Sequence, residues 1–315
     1  MLAVAACASA PEAGNVSDAP KASNIRALRW IAPGADKVKA LSERPSICVQ
    51  PMALSQKPVG QGVAPDVIGS IAFESSALLG GAAGRMGLSC SSCHLNGRGN
   101  PGFRLEGVSG ETGTADVTQS LLSHTRGDGV FNPLPIPDLA ARDGRQMRNR
   151  KTPEFRAKVH GLVVEEFDGQ EPPPAIFDAL LVFLDMLDMT KCRDPSATVP
   201  VIAMTDFMAT IMGMMAADDY ARSGDKPSAI LMARMSREAL ERVHERFVAP
   251  DQADVREALV KASEAIGVWI DTVRAGKVGD PPSHLIDAAG ALVLREEPRS
   301  LYNPDVLRVA LAQSP

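Results

Sequence analysis

The chain has few of the residues that build β-sheets and no run that would cross a membrane. Aromatic residues make up only 4% of its 315 residues, with two Trp and two Tyr, and this scarcity favours few β-strands. No uninterrupted apolar stretch reaches the about 18 residues of a transmembrane helix. The formal net charge of −5 argues against a nucleic-acid-binding protein.

Cysteine is also scarce, and the chain has a single C-x-x-C pair. A zinc site of the paired type would need a second pair. The pair present is followed by histidine, in Cys90-Ser91-Ser92-Cys93-His94, which is the attachment pattern of c-type haem. Two thiols one helical turn apart can each bond to a haem vinyl group, and the following imidazole can bind the iron as proximal ligand. A chance match or a thioredoxin-like dithiol is the alternative, but neither requires the adjacent histidine. The sequence predicts one covalent haem c held by Cys90, Cys93 and His94.

Two further cysteines flank this region. Cys48 and Cys192 could form a disulfide that closes the segment between them, since haem of this kind is attached outside the cytoplasm, where disulfides persist. The alternative is two unrelated buried thiols. We expect the disulfide.

The fifth cysteine lies near the start. Val4-Ala5-Ala6-Cys7 is typical of the end of a bacterial lipobox, and residues 1–23 read as a signal remnant or a lipoprotein tether. The alternative is a signal-peptidase remnant with a stray cysteine. Both interpretations predict the periplasm, and lipidation of Cys7 would add attachment to an envelope membrane.

The remaining pattern predicts a mainly α protein in two parts. We expect residues 24–192 to form a cytochrome c-like haem domain with long Gly/Pro-rich loops, and residues 193–315 to form a helical domain. Within the loops, residues 116–124 offer one short helix. Hydrophobic periodicity and start signals predict further helices over 174–189, 206–222, 227–247, 252–275, 283–295 and 304–312.

Three motifs together resemble a known family. They are the segment 87–94 with its C-x-x-C-H, the segment 150–156 (Arg-Lys-Thr-Pro-Glu-Phe-Arg), and the turn 166–169 (Glu-Phe-Asp-Gly). Over about residues 75–190 the chain resembles the haem domain of the bacterial cytochrome c peroxidase superfamily, which includes the dihaem methylamine-utilisation enzymes. The resemblance implies a cytochrome c-like haem site. The family carries two haem domains and often a Met or Tyr as distal ligand, whereas this chain has one haem motif and Phe183 near that position.

The distal iron ligand is therefore open. His160, which follows the Thr-Pro landmark, is the first candidate, Met186 the second, and Met147 and His124 are weaker. A lone histidine is more often a structural residue and a helical methionine more often packing. The site can also lack a distal ligand.

The leading functional hypothesis is a single-haem c-type cytochrome that transfers electrons between redox protein partners in the bacterial cell envelope. The second is a peroxidase-like haem oxidoreductase with an external electron donor, in which Glu165, Glu166 or His160 would act as acid–base group. The third is a haem-bearing subunit of a larger envelope complex. The sequence leaves open whether the protein is an enzyme.

Overall fold

The computed structural model describes residues 22–48, 62–141 and 151–313. Helices make up 59% of it, which confirms the predicted mainly α class. None of the helices in these ranges is both long and apolar enough to cross a membrane. Cys7 and Met147 lie outside the described residues.

Short elements joined by loops make up the first part of the chain. Its α-helices are α1 (Lys37–Ser42), α2 (Pro65–Glu74), α3 (Gly81–Met86), α4 (Cys90–Cys93), α5 (Pro153–Gly161) and α6 (Pro174–Met186). A π-helical turn, Leu162–Glu166, continues α5 directly. Single 3-10 turns cover Ala22–Asn24, Arg26–Trp30, Ser76–Leu78, Leu95–Gly97 and Met189–Lys191.

Long helices dominate the second part. They are α7 (Ala203–Arg222), α8 (Lys226–His244), α9 (Ala253–Arg274), α10 (Ser283–Glu296) and α11 (Pro304–Ala312), with 3-10 turns at Pro250–Gln252 and Glu297–Arg299. The start signals act as expected: the Asp225 carboxylate accepts a hydrogen bond from the Ser228 amide (3.2 Å) and caps α8, which satisfies one of the free N–H groups of the first turn.

The described residues contain four short strands in two antiparallel pairs. Strand β1 (Glu43–Pro45) pairs with β4 (Thr198–Pro200), with Glu43 opposite Pro200. Strand β2 (Thr114–Ala115) pairs with β3 (Leu134–Pro135), with Thr114 opposite Pro135. The second pair fixes one end of the loop that reaches the candidate site.

The short helix expected over 116–124 is wrong: the structure has turns there. The Asp116 carboxylate accepts hydrogen bonds from the amide and hydroxyl of Thr118 (3.1 and 2.8 Å) and from the Asn132 amide (3.1 Å). A side chain that binds the local backbone in this way competes with helix formation.

One continuous hydrophobic core crosses the predicted boundary at residue 192. It includes Phe73, Ile176 and Leu180 from the first part and Phe207, Met235 and Leu259 from the second. Helix α2 packs on both α6 and α7. A Cβ at Gly69 would collide with the carbonyl oxygen of Ala179, so the close approach of α2 to α6 depends on that glycine. The division into two domains stays a prediction.

Candidate haem-binding site

The C-x-x-C-H segment forms a single capped helical turn. The amide of His94 donates to the carbonyl of Cys90 (2.9 Å), and the Ser89 amide donates to the hydroxyl of Ser92 (3.0 Å) at the start of α4. Residues three apart on a helix share a face. The turn therefore presents the side chains of Cys90 and Cys93 together.

Both thiols of this turn are free and half-buried. Burial raises the pKa of Cys90 to about 11. Burial, with the nearby Cys90, raises the pKa of Cys93 to about 12. A thioredoxin-like nucleophile needs a lowered thiol pKa, so these surroundings do not favour that use. Both thiols are therefore neutral at neutral pH.

The His94 imidazole is fixed in one tautomer. Its Nδ1 lies 3.0 Å from the carbonyl oxygen of Pro137. A carbonyl only accepts, so Nδ1 carries the proton and the lone pair is on Nε2. Burial lowers the pKa of His94 to about 4, although the Pro137 carbonyl and Asp138 oppose this shift. The ring is therefore neutral at neutral pH, which is the form that binds a metal.

The loop that carries Pro137 is held on both sides. The Ile136 amide donates to the carbonyl of Gly113 (2.9 Å). On the other side Arg98 Nε lies 2.6 Å from Asp138 Oδ2, and Asp138 Oδ1 accepts from the Ala140 amide (2.8 Å). No spacing rule of the sequence pointed to Arg98, Pro137 or Asp138, because their partners lie about 40 positions away along the chain.

The predicted disulfide is present in the structure. Cys48 and Cys192 are joined, with 4.8 Å between their Cα atoms. Arg98 Nη1 lies 3.1 Å from Cys48 Sγ and 3.9 Å from Cys192 Sγ. The disulfide therefore packs against the arginine that pairs with Asp138.

An apolar cluster separate from the main core surrounds the motif. Cys93, Met86, Phe167 and Ile136 pack against its buried members, which are Trp30, Leu79, Ala83, Leu88, Phe103, Val108 and Leu122. Cys90 packs against the main core instead. Both thiols therefore have apolar surroundings, which a hydrophobic macrocycle would also need. The sequence did not predict that Met86 packs in this cluster, because no spacing pattern marks a methionine four residues before the first cysteine.

The Phe167–Gly169 turn is locked against the start of α3. The Gly80 amide donates to the carbonyl of Phe167 (3.0 Å), and Asp168 has the positive φ of 50° that L-residues seldom adopt. The Asp168 carboxylate accepts from the amide of His124 (3.0 Å) and contacts its Nδ1 (2.5 Å). Burial opposes ionisation of Asp168, but these hydrogen bonds lower its pKa. These contacts hold the Phe167–Gly169 turn firmly in place, and through Phe167 it forms a wall of the apolar cluster around the motif.

The predicted distal candidates make their polar contacts elsewhere. His160 Nε2 lies 2.7 Å from Glu171 Oε2, and its ring meets Phe177 edge-on at 5.8 Å. His124 is 78% exposed and binds Asp168. Met186, at the end of α6, is half-buried. Ligation by His160 Nε2 would require it to leave Glu171, and the distal ligand stays a prediction.

Near the motif lies a cavity of about 500 Å³ whose lining includes Arg98, Asn100, Ile136 and Asp138. Neither cysteine of the motif nor His94 lines it. It therefore borders the loop that holds His94 without being the attachment site.

Within the described ranges, no three His, Cys, Asp or Glu side chains are grouped to hold a metal ion. A c-type haem needs no such group, because the macrocycle supplies four of the iron's ligands and the chain one or two. Two thiols and a neutral, oriented imidazole fit that group. No family model, no curated protein and no solved structure matches the chain.

Proposed function

We propose that this chain is a single-haem c-type cytochrome that transfers electrons between redox proteins of the bacterial cell envelope, with residues 24–192 as a cytochrome c-like haem domain. The observation that carries the proposal is the His94 imidazole, neutral and held by the Pro137 carbonyl, directly after two free thiols on one helical turn.

Each residue of the proposed haem site would have a distinct role. Cys90 and Cys93 would hold the haem by thioether bonds, and His94 Nε2 would bind its iron. Haem, when bound, supplies one-electron transfer at a potential set by its ligands and surroundings. Phe103, Trp30 and their apolar neighbours keep water away from the site, which raises the strength of every charge interaction within it.

The proposed location is the periplasm. The Cys48–Cys192 disulfide supports an oxidising compartment, and a lipid on Cys7 would tether the protein to an envelope membrane. The negative net charge supports a protein partner with a basic docking face.

Absorption spectroscopy on the protein, produced in a host that matures c-type cytochromes, tests this proposal. We expect reversible reduction and oxidation with the spectral bands of a haem whose two vinyl groups are saturated. His94→Ala would remove an iron ligand and should shift these bands, whereas Ser91→Ala, a change within the same motif that leaves its ligands in place, should leave them unchanged. A purified protein without haem, from a host that matures a reference cytochrome, would refute the proposal.

One observation favours peroxide reduction as a second candidate. Glu166 ends the π-helical turn, and its Oε2 is buried without a hydrogen-bond partner among the described residues. Burial raises the pKa of Glu166, and repulsion from Glu165 and Asp116 adds to the shift, against the attraction of Arg126. π-Helical turns are frequent at functional sites, and a carboxyl group with a raised pKa can hold and donate a proton.

The neighbouring glutamate offers a matched control for this candidate. Glu165 is half-exposed and paired with Arg126. If Glu166 is the acid–base group, Glu166→Gln should slow peroxide-dependent oxidation of a reduced donor cytochrome by about 100-fold, while Glu165→Gln, which only alters the charge beside Glu166, should slow it far less. Equal rates for both variants and the unmodified protein would remove this candidate.

A further inference from the structure

We propose that Arg98 and the Cys48–Cys192 disulfide are positioning elements for the proximal histidine, acting through Asp138 and the carbonyl of Pro137. The proposal rests on the proposed function, since it concerns the haem ligand His94. It assigns a role to a buried arginine and a disulfide that haem attachment by itself does not require.

The first link is the Pro137 carbonyl. His94 Nδ1 donates to it at 3.0 Å, so the orientation of the imidazole follows the position of this oxygen. The carbonyl belongs to a loop, where no helix ladder fixes it. Its position depends on what holds Ile136 and Asp138 on either side.

The second link is the ion pair between Arg98, which is buried, and Asp138, which is half-buried. Both carboxylate oxygens of Asp138 are occupied, one by Arg98 Nε (2.6 Å) and the other by the Ala140 amide (2.8 Å). Arg98 itself is only 8% exposed. A charge-assisted hydrogen bond removed from water is stronger and more directional than one at the surface. The pair therefore fixes the residue directly after Pro137.

The third link joins Arg98 to the disulfide. Its Nη1 lies 3.1 Å from Cys48 Sγ, 3.3 Å from the carbonyl of Pro195 and 3.9 Å from Cys192 Sγ. Cys48 and Pro195 belong to chain segments far apart in sequence. The disulfide holds Cys48 and Pro195 against the Arg98 guanidinium, so that Arg98 Nε stays directed at Asp138.

The same region is closed by two backbone hydrogen bonds. The Asp188 amide donates to the carbonyl of Cys48 (2.7 Å), and the Met189 amide donates to the carbonyl of Ala140 (2.9 Å). The segment with Cys48 and the segment with Asp138 are thus both attached to residues 188–189. Removal of the disulfide would loosen the segment with Cys48 and leave the hydrogen bond from Met189 to Ala140 in place.

The chemical consequence is a change in the iron's reduction potential. An imidazole whose N–H donates a firm hydrogen bond is a more basic ligand at its other nitrogen, and a more basic ligand stabilises the oxidised iron. A loosened Pro137 carbonyl should therefore raise the potential. Partners of a metal-bound histidine are commonly worth a factor of 10 or more in metal affinity or activity.

The test compares two variants of the haem-loaded protein that leave the formal charge of the site unchanged. One is Cys48→Ala with Cys192→Ala, and the other is Arg98→Lys, which loses the forked contacts of the guanidinium. The matched control is Arg104→Lys, because Arg104 is exposed and its Nη1 binds the Gly110 carbonyl (2.7 Å) instead of the Pro137 loop. The readout is the midpoint potential of the haem iron, from optical redox titration.

We expect both test variants to favour the reduced protein about tenfold at a fixed solution potential, an upward shift of the midpoint potential of about 59 mV for one electron. Arg104→Lys should leave the midpoint potential unchanged. If the cysteine variant does not fold, Arg98→Lys decides. Haem-loaded variants with the midpoint potential of the unmodified protein would overturn this inference and leave the proposed function intact. Failure of the unmodified protein to bind haem would overturn the proposed function itself.

Discussion

Replacement of Gly80 by alanine should disrupt the wall formed by the Phe167–Gly169 turn. A Cβ at Gly80 would overlap the carbonyl oxygen of Asp168 and lie 2.7 Å from its carbonyl carbon and 3.0 Å from the Gly169 Cα. All three are backbone atoms, so no side-chain rotation relieves the overlap. The two segments would have to separate and lengthen the hydrogen bond from the Gly80 amide to Phe167.

The expected loss in the free energy of unfolding follows from the rigidity of these backbone atoms. Overpacking of a well-packed site costs about 1 to 3 kcal/mol, and the upper end applies here because the backbone has to move. Gly161, at the end of α5, is the matched control. Its φ and ψ are helical (−58° and −38°), and the nearest atom to an added Cβ lies 4.0 Å away in the Glu165 side chain. Gly161→Ala should therefore stabilise the protein by roughly 0.5 to 1 kcal/mol.

Urea denaturation followed by circular dichroism measures both changes. With a slope of about 3 kcal/mol/M, a loss of about 3 kcal/mol lowers the midpoint by roughly 1 M for Gly80→Ala, and Gly161→Ala should raise it slightly. Since Phe167 packs in the cluster that contains Cys93, Gly80→Ala should also reduce the fraction of chains that carry haem. Equal midpoints for the two variants would show that the close approach of Gly80 to Asp168 does not exist.

Three further predictions concern stability. Glu238 accepts hydrogen bonds from the amides of Ser76 (2.9 Å) and Ala77 (3.1 Å), whereas Arg26, which also lies near it, keeps its ion pair with Glu245. Glu238→Ala should therefore lower the free energy of unfolding in urea by about 3 kcal/mol, because it leaves buried donors unpaired; a loss below about 1 kcal/mol would contradict this. The disulfide between Cys48 and Cys192 closes a separation of 144 residues and should add about 3 to 5 kcal/mol to the free energy of unfolding. The difference in urea stability between the unmodified protein and the variant with both cysteines replaced by alanine measures it. Equal stability of the two would rule out a constraining disulfide. In the haem-free protein, burial lowers the pKa of His94 from its ordinary value of 6.5 to about 4. The unfolded chain therefore binds this proton first, and stability should fall as pH decreases from 6.5 to 4. His94→Gln should flatten that part of the pH profile, and an unchanged slope would contradict the burial of His94.

Local sequence signals predicted α6 to α11 well because the causes of these helices are local. Asp225 before Pro227 marks the start of α8, and Pro174 opens α6, since a capping carboxylate and an early proline act within one turn. The predicted end of the 174–189 helix is three residues too long, because Leu187 has an extended backbone and Met189 begins a separate 3-10 turn.

Only part of the candidate site could be predicted from the sequence. The C-x-x-C-H pattern identified its two thiols and its histidine, and the composition of the chain left Cys48 and Cys192 as a pair. Arg98, Pro137 and Asp138 could not be found in this way, because their roles depend on contacts between distant segments. The same limit explains the error at 116–124, where the Asn132 amide, 16 residues away, binds the Asp116 carboxylate.

The central claim is that Cys90 and Cys93 hold one haem covalently. Mass spectrometry of the denatured protein and of its proteolytic peptides tests this most directly, because only a covalent cofactor survives denaturation. We predict that the peptide containing Cys90 to His94 carries the mass of one haem, and that the double variant Cys90→Ala, Cys93→Ala carries none. An unmodified peptide, from cells that attach haem to a reference cytochrome, would contradict the account.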